Sequence, residues 1–319
     1  MNRIAPFAAA LRAALILCCW LSVLLPATAQ QLPNPLLAVK APLRKKILAG
    51  QNAEAVKELT QLLAADSLNP DYLYLRAECR ALLSEYTPAL ADYDKAARIV
   101  PGSPLVLASR AVALVQVQRY PEAVADFDQA LLKVPNQPLM RLYSGWARMY
   151  TNDLPGALRD LDLAVQLDGS NKDAWLYRGI VQMIAGRYPD AQFSISEYVR
   201  RNPKLPLGYA NRALIYLATG EQAKAAEDAA RAFKIAPTDK EVVLIQAFVA
   251  EKADAAQGQA QYEAILAKTT DKADFYLQRG DLHMQTGNIA RAIPDWQQAA
   301  DLGNKEAAFR LKAGYKSPQ

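Results

Sequence analysis

The chain has 319 residues, 52% of them hydrophobic and 22% charged, with 37 Lys or Arg, 32 Asp or Glu and one His, for a net charge of +5. That balance belongs to a folded chain and excludes a disordered or fibrous one. No block of five like charges occurs, so the electrostatic footprint of a nucleic-acid binder is missing.

Arg3 and Arg12 are followed by an apolar run, Ala13 to Leu25, broken only by Ser22, and then by Pro26-Ala27-Thr28-Ala29. A basic start, a short apolar core and a small-x-small ending are the layout of a secretory signal peptide over residues 1–29, cleaved after Ala29. The run of 13 residues is shorter than the roughly 20 that a membrane span needs. The mature chain is therefore expected in the periplasm or outside the cell, with no membrane span after cleavage. An uncleaved N-terminal anchor is the second reading. Leu17 before Cys18, and Trp20-Leu21 after Cys19, do not fit a lipidation site. After cleavage only Cys79 remains, so an internal disulfide is excluded. Loss of Arg3 and Arg12 leaves 35 basic against 32 acidic residues, close to neutral.

Residues 30–38 read as a linker and 39–68 as a degenerate helix pair, with Ala55 and Leu59 in register but the first helix unclear. Beyond them the chain repeats every 34 residues. Small residues recur at Ala77, Ala111, Gly145, Gly179, Ala213 and Ala247, with Gly280 one residue early. A second small column runs Ala89, Ala123, Ala157, Ala191, Ala225 and returns at Ala292. Such self-similarity means stacked supersecondary repeats rather than one globular core.

The seven repeats are expected at 69–102, 103–136, 137–170, 171–204, 205–238, 239–271 and 272–304. Within each, apolar residues three and four apart place two stripes on two short helices. Leu107, Ala111 and Leu114, then Ala123, Phe127 and Ala130, show the pattern in the second repeat. Pro121, Pro155 and Pro189 stand near the start of a second helix, where a missing N–H costs nothing. Pro101, Pro135, Pro203 and Pro237 end it in four repeats, and Gly169 takes that place in the third. The sixth repeat is one residue short and puts Gln259 in the second small column, so its second helix is expected to shift or fray. Residues 305–319 read as a capping helix and tail, with Lys305 to Lys312 closing the end of the stack.

Trp175-Leu176-Tyr177-Arg178-Gly179, Tyr188, Ala191 and Pro203 closely resemble the tetratricopeptide repeat, as do Tyr276, Gly280, Ile289, Ala292, Trp296 and Ala299. The resemblance implies an all-α fold, a right-handed superhelical solenoid of antiparallel helix pairs, and a function in protein–protein contact. It also implies that the first helix of each pair lines a concave inner face. Carried over here, the candidate groove is Leu105, Leu139, Tyr143, Trp146, Met149, Tyr150, Tyr177, Ile180, Met183, Ile184 and Leu214. Two readings of this apolar wall stand. Tight curvature buries it between neighbouring first helices, or it accepts an apolar segment of a protein or peptide partner with Trp146, Tyr143 and Tyr177 as anchors. The lysine and asparagine positions with which some family members grip a C-terminal carboxylate are held here by Tyr74 and Glu78, Ala108 and Val112, Leu142 and Trp146, so that role is not expected.

Arg76, Arg110, Arg178, Arg212 and Arg279 form one column, and Asp92, Asp126, Asp160, Asp228 and Asp295 another. Four repeats carry both members, which favours Arg–carboxylate bonds between paired helices over a basic ladder for an acidic ligand. The two unmatched members, Asp160 and Arg178, are expected to pair with each other. His283 has no companion ligand at useful spacing, and no phosphate loop, nucleophile elbow or zinc motif occurs. No enzyme, cofactor or metal is expected. The sequence reads as an exported scaffold for a protein partner, with a chaperone-like holder of unfolded or membrane-bound clients as the alternative.

Overall fold

The computed structural model describes residues 35–313, so the expected signal peptide and most of the linker lie outside the described residues. After a 3-10 turn at Pro35–Ala38, seventeen α-helices follow in chain order among the described residues. They are α1 Ala41–Leu48, α2 Asn52–Ala65, α3 Pro70–Leu82, α4 Tyr86–Ile99, α5 Pro104–Gln116, α6 Tyr120–Lys133, α7 Pro138–Tyr150, α8 Leu154–Leu167, α9 Lys172–Ile184, α10 Tyr188–Arg201, α11 Pro206–Ala218, α12 Gln222–Ile235, α13 Lys240–Ala253, α14 Ala255–Lys268, α15 Lys272–Gln285, α16 Ile289–Asp301 and α17 Lys305–Ala313. The chain divides into an N-terminal unit ending at Ala147 and a C-terminal unit beginning at Arg148.

The helices start and stop for local reasons. Pro70, Pro104, Pro138 and Pro206 open first helices, where their fixed φ suits the helix and no N–H is lost. Asn69, Asn171 and Asp239 accept hydrogen bonds from the first-turn amides of Tyr72, Asp173 and Val242. Pro42 explains the unclear first pair. By the 34-residue period a first helix should cover 36–48, but a proline inside it would remove one helical bond and clash with the preceding turn. The segment therefore splits into the 3-10 turn and the short α1, which carries Pro42 in its first turn.

Paired helices meet along the small columns. A Cβ added at Gly179 would come 2.6 Å from the Ile195 Cδ1, and one at Gly280 would come equally close to the Trp296 ring. Opposite these gaps Ile195 and Trp296 are buried to 1% exposure or less, as are Phe127 and Leu161 at the equivalent positions of the second and third repeats. Close approach and bulky filler are thus one device, as native packing density demands.

Every hairpin but the sixth turns through a left-handed residue two places after its first helix. Gly50, Ser84, Gln118, Asn152, Gly186, Gly220 and Gly287 hold φ between 61° and 80° there. The sixth repeat has lost that residue. Asp254, with φ −147° and ψ 108°, ends α13 and at once caps α14 by accepting from the Ala256 and Gln257 amides at 2.9 and 3.2 Å. The expectation of a frayed second helix is corrected: α14 runs unbroken over 14 residues. The second small column is kept as well, by Gly258, 34 residues before Ala292 and buried against the Glu251 backbone. Gln259 is exposed and belongs to no column. In the opposite sense, Ser84→Gly should stabilise the fold by roughly 0.5–1 kcal/mol, because an L-residue pays for the left-handed conformation and glycine does not. Urea denaturation of the variant beside the parent checks this.

Candidate functional site

The arginine and aspartate columns resolve into straps between paired helices. Arg76 binds Asp92 through Nε–Oδ2 at 2.8 Å and Nη2–Oδ1 at 2.7 Å. Arg110–Asp126, Arg212–Asp228 and Arg279–Asp295 repeat the two-pronged geometry at 2.6–3.0 Å. The aspartates are 3–8% exposed in their side chains, so each guanidinium balances a carboxylate already taken from water. Arg110 also reaches back to Asp94 of the preceding repeat at 3.0 Å. That backward contact explains Arg178. Its own repeat has Ser194 in the aspartate column, and Arg178 pairs instead with Asp162 at 2.8 Å. Asp160 is held by Arg148 at 3.2 Å, so the expected Arg178–Asp160 pair is not formed. The columns hold the repeats together and are not a ladder for an acidic ligand.

The candidate groove residues divide into two classes. In the N-terminal unit Leu105 is buried, Tyr143 and Trp146 are each 7% exposed, and Leu139 is half-exposed. In the C-terminal unit Met149, Met183, Ile184 and Leu214 are buried, while Tyr150, Tyr177 and Ile180 are half-exposed. The first helices α9, α11, α13 and α15 pack side by side, and α9 also touches α15 across the curve. The inside of the bend is therefore filled by its own side chains. Met183 at 1% and Leu214 at 0% exposure are core residues and offer no open surface. Among the candidate residues of this unit, solvent partly reaches those at its rim, Tyr150, Tyr177 and Ile180.

Charged groups are also buried among these helices. In the N-terminal unit Glu78 is 5% exposed and accepts from the Tyr93 hydroxyl at 2.6 Å, while burial pushes its carboxyl above the usual range. The Tyr74 hydroxyl lies 3.2 Å from the Ser109 Oγ in the same cluster. Cys79 beside it is buried, and desolvation raises its thiol to about 12, so it is unreactive. In the C-terminal unit Asp281 accepts from the Trp296 indole at 2.9 Å and from Arg310 of α17. Arg310, 4% exposed, also binds Glu306 at 2.8 Å and lies over the Tyr150 ring at 5.2 Å. The terminal helix thus inserts a charge into the core rather than simply presenting a polar outer side. Sequence reasoning missed this because Arg310 falls outside the repeat period.

His283 is buried, with its ring 5.0 Å from that of Phe248 in edge-to-face contact. Its desolvation outweighs Asp295 and Glu251, which favour the charged form, while Lys252 and Arg279 oppose it, and the pKa falls to about 4. A depressed folded-state value means that the unfolded chain takes up the proton first as pH falls. The fold should lose about 3 kcal/mol as pH falls from 7.5 to 4 on this account, most of it below pH 6.5. Urea midpoints at pH 7.5 and 4.5 for the parent and His283→Gln measure it as the part of the acid sensitivity that the variant lacks.

No group of three His, Cys, Asp or Glu side chains with metal-site geometry occurs among the described residues. None of the described helices is long and apolar enough to cross a membrane.

Sequence models described as tetratricopeptide repeat match residues 49–104, 109–171, 144–206 and 250–308, and a second such model matches 208–239. No curated protein matches the chain. Among solved structures it is similar to YrrB, a TPR protein with an unusual peptide-binding site, at 21% identity and a TM-score of 0.52, over 59% of this chain and 96% of that one. A tetratricopeptide repeat protein from Parabacteroides merdae ATCC 43184 aligns at 16% identity and a TM-score of 0.53, over 88% of this chain and 99% of that one. The Cut9–Hcn1 hetero-tetramer of the APC/C aligns at 16% identity and a TM-score of 0.54, over 75% of this chain and 46% of that one. At these identities the likeness is one of fold.

Proposed function

The chain belongs to the tetratricopeptide repeat family, and on that footing we propose that it is an exported scaffold, not an enzyme, that holds a segment of a partner protein within a cell-envelope assembly. Export rests on the basic start, apolar core and Ala27-Thr28-Ala29 ending of residues 1–29, and it places the mature chain in the periplasm or outside the cell. Proteins of this family are generally protein-interaction scaffolds, and YrrB is a relative in fold with a peptide-binding site.

The observation that carries the binding reading is the rim of the C-terminal unit. Tyr150, Tyr177 and Ile180 keep part of their apolar surface in solvent beside the buried Met183 and Leu214. Tyrosine is among the residue types in which binding energy concentrates at protein interfaces.

A photo-cross-linking residue at position 177 or 180, expressed in the native envelope, should give one saturable adduct, and the same probe at the exposed Phe193 of α10 should give none. With the partner in hand, Tyr177→Ala should weaken binding about tenfold, or about 1.4 kcal/mol, without unfolding a half-exposed site. Adducts with many proteins would favour the holder, and adducts only from position 193 would overturn the rim as the binding surface. N-terminal sequencing of the mature protein tests export, with Gln30 as the expected first residue.

A further inference from the structure

A cavity of about 390 Å³ opens in the N-terminal unit, near the starts of α3 and α5. Its size falls in the range of ligand pockets, roughly 300–1,000 Å³. Pro35, Pro70 and Pro104 form much of an apolar wall, and Tyr74, whose hydroxyl is engaged by Ser109, stands among them. Two charges share the lining. Asp71, the second residue of α3, is half-buried, and Lys133 is the last residue of α6. The Lys133 ammonium lies over Gly102, close enough that a Cβ there would sit 3.0 Å from Nζ.

Neither charge has an ion pair or side-chain hydrogen bond among the described residues, and the two do not pair with each other. The contrast with Glu78 is instructive. That deeper carboxylate is satisfied by Tyr93, whereas burial raises the Asp71 carboxyl with no cation to offset it. An apolar cavity that bears one unpaired anion and one unpaired cation is complementary to an extended ligand of opposite charges separated by an apolar stretch. Proline walls meet extended chain well, because both surfaces are rigid and little conformational entropy is lost on contact.

We propose that this cavity binds a short extended peptide segment that brings a basic side chain to Asp71 and a carboxylate to Lys133, with proline or aliphatic residues between them. The proposal shares with the scaffold reading only the idea that polypeptide is the ligand. It concerns the other unit and different residues.

The test uses the full mature chain and four dye-labelled peptides, acetylated and amidated so that only side chains carry charge. Their cores are Lys-Pro-Leu-Pro-Glu, Lys-Pro-Leu-Pro-Lys, Glu-Pro-Leu-Pro-Glu and Gln-Pro-Leu-Pro-Gln, read by fluorescence anisotropy. The mixed-charge peptide should bind at least tenfold more tightly than the glutamine peptide. Asp71→Asn should abolish the advantage that the lysine confers, and Lys133→Gln the advantage that the glutamate confers, each leaving the other intact. Equal binding of all four peptides, no binding of the mixed one, or variants that shift all peptides alike would overturn the proposal. The peptide series on the unaltered chain decides even if a variant fails to fold. Cross-linking from position 177 reports separately on the rim, so the two readings can fail independently.

Discussion

Arg310→Ala should destabilise the C-terminal unit by about 3 kcal/mol, the largest single loss expected in this chain. Arg310 and Asp281 have side chains 5% and 6% exposed, so truncation removes the cation from beside a carboxylate held in the core, where the Trp296 indole also donates to it. Contact with the Tyr150 and Trp296 rings and the bond to Glu306 disappear with it. Asp281 is shut from water by the packing of α15 against α16 and of α16 against α17, which is why the cost exceeds that of a surface pair. The double variant Arg310→Ala, Asp281→Asn should recover part of the loss, since the stranded charge is then gone. Urea denaturation of the single and double variants measures both steps. If Arg310→Ala cost less than 1 kcal/mol, the terminal helix would not be anchored by this charge.

Gly258→Ala should cost about 2 kcal/mol, against the usual preference for alanine inside a helix. Alanine gains about 1 kcal/mol in helix propensity over glycine. Here, however, its methyl would overlap the Cα and amide nitrogen of Glu251, and backbone cannot swing aside as a side chain can. The α13–α14 pair would have to separate, losing contact around Tyr262, which is 2% exposed and donates to Glu251 at 3.0 Å. Gln259→Ala next door, on an exposed surface, should leave the melting temperature within a degree or two of the parent. A neutral Gly258→Ala would show that the shortened turn does not force the two helices into backbone contact.

Much of the architecture was legible in the residues because its causes are local and periodic. Small columns, bulky fillers and helix-starting prolines recur at one spacing, and each marks a contact between neighbours in sequence. The four Arg–Asp straps were readable for the same reason, since both partners travel in one repeat. The Arg178–Asp160 expectation failed because pairing unmatched residues ignored a second route. The arginine column also reaches the preceding second helix, as Arg110 does to Asp94 and Arg178 to Asp162.

The sixth repeat was misread by counting from one side only. Counting forward from Ala225 lands on Gln259, whereas counting back from Ala292 lands on Gly258, and the missing residue is the left-handed one of the turn. Tight turns that use Ser84, Gln118 and Asn152 as well as glycine leave no uniform sequence mark. The candidate groove was the least legible part. Whether Met183 and Leu214 face solvent depends on how far successive hairpins rotate, a small angle summed over several repeats. Nothing in the spacing of apolar residues fixes that sum. Arg310 and the cavity at Asp71 and Lys133 lie where the period ends or where loops meet, so repetition could not point to them.

The burial of Met183 and Leu214 against the partial exposure of Tyr177 and Ile180 can be measured by thiol accessibility. Cysteine would be placed singly at positions 183, 214, 177 and 180 in a chain of residues 30–319, where Cys79 is buried and stays silent. Positions 177 and 180 should react with a maleimide at the rate of a partly exposed thiol, and 183 and 214 at least a hundredfold more slowly. Equal rates at all four positions in the folded protein would mean an open groove and would contradict the closed wall.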